Sequence, residues 1–107
     1  MTPKYNFDET KNSLVLTFDG RLDTNYSLDV RSAIDNLLND LMKPNVDKAF
    51  SVCFNFASVD FISSAFVGIC VACAKKVGKE SFSIVNTNPF IKRTFKIAGL
   101  DEQLNVQ

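Results

Sequence analysis

Short apolar runs alternate with longer stretches of helical period along this chain. Leu14-Val15-Leu16-Thr17-Phe18 mixes branched and aromatic residues and predicts a strand. A shorter strand around Tyr5 to Asp8 precedes it, and Asp19-Gly20 predicts a turn after it. From Asn25 to Met42 the period becomes helical. Tyr26, Val30, Ala33, Leu37 and Leu41 recur at spacings of four, three, four and four, and Ile34 and Leu38 widen the stripe. Thr24 or Asn25 can cap the start. Pro44 stops the helix, because it lacks an amide hydrogen and restricts Lys43 before it.

Phe50 to Phe56 is the clearest strand. Phe50, Val52, Phe54 and Phe56 share one face, which predicts packing under helices, while Ser51, Cys53 and Asn55 share the other. A loop is expected from Ala57 to Ser63. A helix follows from about Ser64 to Val77, with Ser63 as its N-cap and Gly78 as its stop. Ser81 to Val85 predicts another strand, and Asn86-Thr87-Asn88 a turn. Asn88 can cap a last helix whose first residue is Pro89 and which ends at Gly99. Leu104 to Val106 is a candidate final strand. The order β-β-α-β-α-β-α-β implies a single α/β domain spanning 1–107. Its sheet is expected to be mostly parallel, with four to five strands, about three main helices and right-handed crossovers.

Composition narrows the function classes. The chain has 107 residues, 46% of them apolar and 22% charged, as an ordinary globular domain has. The longest weakly polar run, Ala65 to Ala74, is about half the ~20 residues a spanning helix needs. The N-terminal residues show no apolar signal segment, so a cytoplasmic location without direct membrane insertion is expected. Twelve basic residues balance twelve acidic ones, which argues against nucleic acid as a partner. The densest basic points, Lys75-Lys76 with Lys79 and Lys92-Arg93 with Lys96, read as solvated helix faces.

The chain has no histidine, which removes Ser-His-Asp and Cys-His nucleophiles and histidine metal ligands. No metal, cofactor or catalytic residue is assigned, and no enzyme activity is expected. Cys53, Cys70 and Cys73 read as free thiols. Cys70-Val71-Ala72-Cys73 has CxxC spacing but lies inside a helical run rather than at a helix start, where a redox pair would sit. It reads as two small buried residues one turn apart.

Three stretches, in order and at matching separations, carry a family resemblance that covers nearly the whole chain. They are Gly20-Arg21-Leu22-Asp23-Thr24, then Phe54 through Ala65, then Asn88-Pro89 through Asp101. They resemble the G-x-L-D segment, the central strand with its switch loop (L-D-L-S-x-V-x-F-I-D-S-[ST]-G), and the closing N-x-P…GL segment of STAS domains. The likeness is to the anti-sigma factor antagonists. The resemblance implies the α/β fold already read. It also implies a non-catalytic regulator that binds an anti-sigma factor, often a serine kinase. Phosphorylation of a hydroxyl residue at a helix start then disrupts the binding.

Carried over residue by residue, the resemblance makes Asp23, Asn55, Asp60, Ser63, Ser64, Ala65 and Phe66 the partner-binding and switch residues. The phosphoacceptor position falls on Ala65, which has no hydroxyl. The acid two places earlier falls on Ser63, the strand aspartate on Asn55, and the following glycine on Phe66. Asp23 keeps its acid and Ser64 its hydroxyl. A one-residue slip would make Ser64 a displaced phosphoacceptor, at the cost of putting Phe61 and Gly68 out of register. The expected protein is therefore an antagonist held permanently able to bind. Phe66 is either an interface anchor or a core residue. Ser63 and Asp23 are either site residues or caps. A STAS subunit of a membrane transport system and a small-molecule-sensing STAS module are the alternatives. No Gly-rich phosphate loop supports the sensor.

Overall fold

Four strands hydrogen-bond in chain order, and three helices cover one face of them. The computed structural model describes residues 3–45 and 49–107. Strand β1 (Lys4–Asp8) runs antiparallel to β2 (Ser13–Leu22). Helix α1 (Thr24–Met42) and a 3-10 turn (Lys43–Asn45) lead to β3 (Ser51–Ile62), which is parallel to β2. Helix α2 (Ser64–Val77) and a second 3-10 turn (Lys79–Ser81) lead to β4 (Phe82–Val85), parallel to β3. Helix α3 (Pro89–Ile97) follows. The sheet is mixed and mostly parallel, as strands separated by helices require.

The period-two pattern sorts the strands as expected. Leu14, Leu16 and Phe18 of β2, Val52, Phe54 and Phe56 of β3, and Phe82 and Ile84 of β4 are buried. Val15, Thr17, Ser51, Cys53, Asn55 and Ser83 on the opposite face are half-buried. The buried face meets Val30, Ile34 and Leu38 of α1, Phe66, Ile69 and Cys70 of α2, and Ile91 and Phe95 of α3 in one core. The buried stripe of α1 is centred on Ile34 and Leu38. Tyr26, Leu37 and Leu41 flank it, half-buried.

Four expectations are corrected. Asp19-Gly20 is not a turn: β2 continues to Leu22, with Gly20 at φ +71° accommodating an irregularity in the pairing with β3. Ala57–Ser63 is not a loop: β3 runs on to Ile62. The α1 cap is Asp23, not Thr24 or Asn25, because its carboxylate accepts the Tyr26 amide at 2.9 Å. The last segment forms no full strand. Val106 makes one isolated parallel bridge to Ile84.

A ribbon carrying two helix starts

The candidate functional site begins where the four-stranded sheet ends. Pairing with β1 stops at Thr17, and pairing with β4 stops at Asn55. Beyond these points β2 and β3 continue alone as a two-stranded parallel ribbon to Leu22 and Ile62. The register steps from Thr17↔Asn55 to Asp19↔Ser58, and from Gly20↔Val59 to Arg21↔Phe61. β3 therefore takes up one extra residue at each step, as bulges do. Asn55 serves the first bulge: its side-chain oxygen accepts the Ala57 amide at 3.0 Å and the Asn86 side-chain amide at 3.0 Å. The Arg21 guanidinium lies 4.3 Å from the Phe61 ring centroid, a cation–π contact joining the two strands.

The ribbon delivers two helix N-termini side by side. The Ser63 amide donates to the Leu22 carbonyl at 2.9 Å, so the last residues of β2 and β3 are tied where α1 and α2 begin. Asp23 caps α1. Ser63 caps α2 through its hydroxyl oxygen, which accepts the Phe66 amide at 3.3 Å. Ser27, buried on α1, links the two: its hydroxyl donates to the Asp23 carbonyl at 2.7 Å and lies 3.5 Å from the Ser63 hydroxyl. Asn88 caps α3 by accepting the Ile91 amide at 2.8 Å, and its side-chain amide reaches the Val59 carbonyl at 3.3 Å. The capping hydrogen bonds satisfy amides that a helix start leaves unpaired, and each helix dipole favours negative charge at its start.

Asp23, Ser63, Ser64 and Ala65 thus come together at the two helix starts, with Asp60 exposed on the ribbon beside them. Ser64 is exposed and Ala65 half-buried. Two residues of the expected set stand apart. Asn55 sits at the foot of the ribbon and organises the bulge. Phe66 is fully buried, with its ring 5.1 Å from Phe18 and 6.3 Å from Tyr26. One residue past Ala65, it faces the sheet rather than solvent. Burial under this helix start raises the Tyr26 phenol above its usual pKa, and the Asp19 charge adds to the effect. Sequence reasoning missed Ser27, whose hydroxyl occupies the apolar stripe of α1. A serine at a core-facing helical position one turn after a capping acid was the available signal. Removing the Asp23 cap is expected to cost about 1 kcal/mol, about 4–8 °C in melting temperature. Asp23→Asn should keep most of it, and thermal denaturation of Asp23→Ala and Asp23→Asn checks both.

A family model, the STAS domain, matches residues 4–107. The chain belongs to the STAS family. Solved structures share its architecture. Unphosphorylated SpoIIAA, an anti-sigma factor antagonist, superimposes with a TM-score of 0.68 at 18% identity, over 97% of this chain and 86% of its own. An anti-sigma factor antagonist from Mycobacterium paratuberculosis gives 0.73 at 21%, over 96% and 83%. A STAS-domain anti-sigma-factor antagonist from Planctomyces limnophilus gives 0.78 at 17%, over 99% and 88%. At these identities the likeness is one of fold. No curated protein matches the sequence. Among the described residues of this STAS domain, no group of three or more Cys, Asp or Glu is placed to hold a metal ion. No described helix is long and apolar enough to cross a membrane.

Proposed function

We propose that this STAS domain is a non-catalytic regulator whose partner is an anti-sigma factor of the serine-kinase type. Its binding surface stays permanently in the unphosphorylated form. The observation that carries the reading is Ala65, the second residue of α2, on its first turn. The family's phosphoacceptor position therefore meets solvent without a hydroxyl. The solved neighbours support the partner class, since they are described as anti-sigma factor antagonists. SpoIIAA is known in both unphosphorylated and phosphorylated forms.

Asp23, Asp60, Ser63, Ser64 and Ala65 form the proposed contact surface. The Ser63 hydroxyl is engaged in its cap, so Ser64 is the hydroxyl left open to a kinase. A phosphate there would bring about −1.5 to −2 charge. The helix start tolerates such a charge, with a favourable effect of about 0.3–1 kcal/mol. Its consequence would fall on the partner through repulsion and desolvation.

The test is affinity capture from the cell's own extract, with mass spectrometry of partner and bait. Recovery of a kinase-like anti-sigma factor with unmodified Ser63 and Ser64 is expected. Ala65→Glu, which places a charge at the acceptor position, should reduce recovery at least tenfold while leaving the melting temperature within a few degrees. Phosphate on Ser64 would show that the switch survives one residue earlier. Capture of transporter subunits, or Ala65→Glu binding like the parent, would sink the reading.

A further inference from the structure

Helix α3 is pinned on one side and unpartnered on the other. Ile91 and Phe95 are fully buried against the sheet. On the outer side Phe90 is 72% exposed and Ile97 78%, two of the four large hydrophobic residues left open among the described residues. They are seven positions apart, two helical turns, so they share one ridge separated by about 10 Å along the axis. Lys92, Arg93 and Lys96 are exposed beside that ridge, and the helix contains no acid. The ion pair found among the described residues, Lys76–Asp35, lies elsewhere. Together with Pro89, the cations and Ile97 line a wide, shallow hollow.

Neither the Asn88 cap nor the core contacts use these side chains. An amphipathic helix whose outer face combines cations with a bulky aromatic and an aliphatic residue has the chemistry of an interfacial contact. We propose that the outer face of α3 is a peripheral docking surface for an anionic phospholipid bilayer. Phe90 and Ile97 reach the acyl boundary, while Lys92, Arg93 and Lys96 lie among the headgroups. Charge alone would suit an acidic protein segment, but the two open apolar side chains beside the cations suit a bilayer, whose planar interface meets Phe90 and Ile97 without a shaped complement. The chain has no net charge, so the attraction comes from local arrangement and falls with salt. Asp101 and Glu102 follow the break at Gly99 and oppose it, which sets the contact in the weak, reversible range.

Co-sedimentation with vesicles tests this directly. The protein is expected to pellet with mixed phosphatidylcholine–phosphatidylglycerol vesicles at low salt. It should stay in solution with phosphatidylcholine alone and release at high salt. The triple variant K92Q/R93Q/K96Q should lower partitioning about a hundredfold, near fivefold per cation. Phe90→Ser should lower it about tenfold or more. Both variants should melt like the parent, because the altered side chains are exposed. Failure to pellet with mixed vesicles at low salt would overturn the proposal. So would equal binding to neutral vesicles, or binding unchanged in the triple variant. An acidic polypeptide bound through these cations while vesicles are ignored would reassign the face to a protein partner. None of these outcomes depends on the partner of the α1–α2 site.

Discussion

Phe66→Ala is expected to lower the unfolding free energy by about 3–5 kcal/mol. The ring is fully buried, with Phe18 at 5.1 Å, Phe56 at 6.1 Å, Phe54 at 6.2 Å and Tyr26 at 6.3 Å between centroids. Edge-on and tilted contacts of this kind add to the area buried. Truncation removes that area and leaves a cavity that β2 and β3 cannot close, because their pairing fixes Phe18, Phe54 and Phe56. Against a total stability of roughly 5–15 kcal/mol, the loss is large. For a domain of this size it corresponds to a drop of about 15 °C or more in melting temperature. Urea unfolding with an unchanged slope would show that the folded state, not the denatured one, carries the effect. A Phe66→Ala protein that melts like the parent but fails to bind its partner would make Phe66 an interface anchor instead.

Thiol chemistry should separate the three cysteines by orders of magnitude. Burial pushes the Cys73 thiol up to about 12, with the nearby Asp35 charge adding to the effect. Cys70 is raised well above the usual thiol range by burial, then by its neighbour Cys73. The thiolate is the nucleophile. At pH 8 a thiol of pKa about 12 is ionised in only about one molecule in ten thousand, against roughly a quarter for an ordinary thiol. Cys53 sits half-buried on the second sheet face. Ellman's reagent at pH 8 is expected to modify one thiol of the native protein readily. The other two should react at rates at least a thousandfold lower, and all three together in denaturant. Rapid loss of two thiols, or a Cys70–Cys73 disulfide under mild oxidation, would revive the redox reading of the CxxC spacing.

These raised thiols also set an alkaline limit. The folded state holds both protons above the pH at which the unfolded chain releases them, so stability falls as pH rises. The fall should begin near the ordinary thiol range and continue through about pH 12. Melting temperatures from pH 8 upward check the sign. Replacing Cys73 with alanine should flatten that slope.

Element type was legible from the sequence because burial imposes period. The alternating phenylalanines of β3, the stripe of α1, the Ser63, Asn88–Pro89 and Gly78 boundaries and the buried character of Cys70 and Cys73 all follow from local spacing and capping chemistry. The three short motifs carried the STAS resemblance. Tertiary structure decided the rest. Asp19-Gly20 and residues 57–62 have the composition of turn and loop, yet they are strand because each backbone pairs with the other across two bulges. That pairing joins residues about forty apart in the chain and leaves no local trace. The neighbourhood of Asp23, Ser27 and Ser63 likewise exists only because the ribbon ends both strands at one place. Leu104 to Val106 shows the opposite case. Its pattern allows a strand, but the backbone of 101–105 is turned, with Asn105 at φ +49°, so the segment meets the open edge of β4 through one bridge.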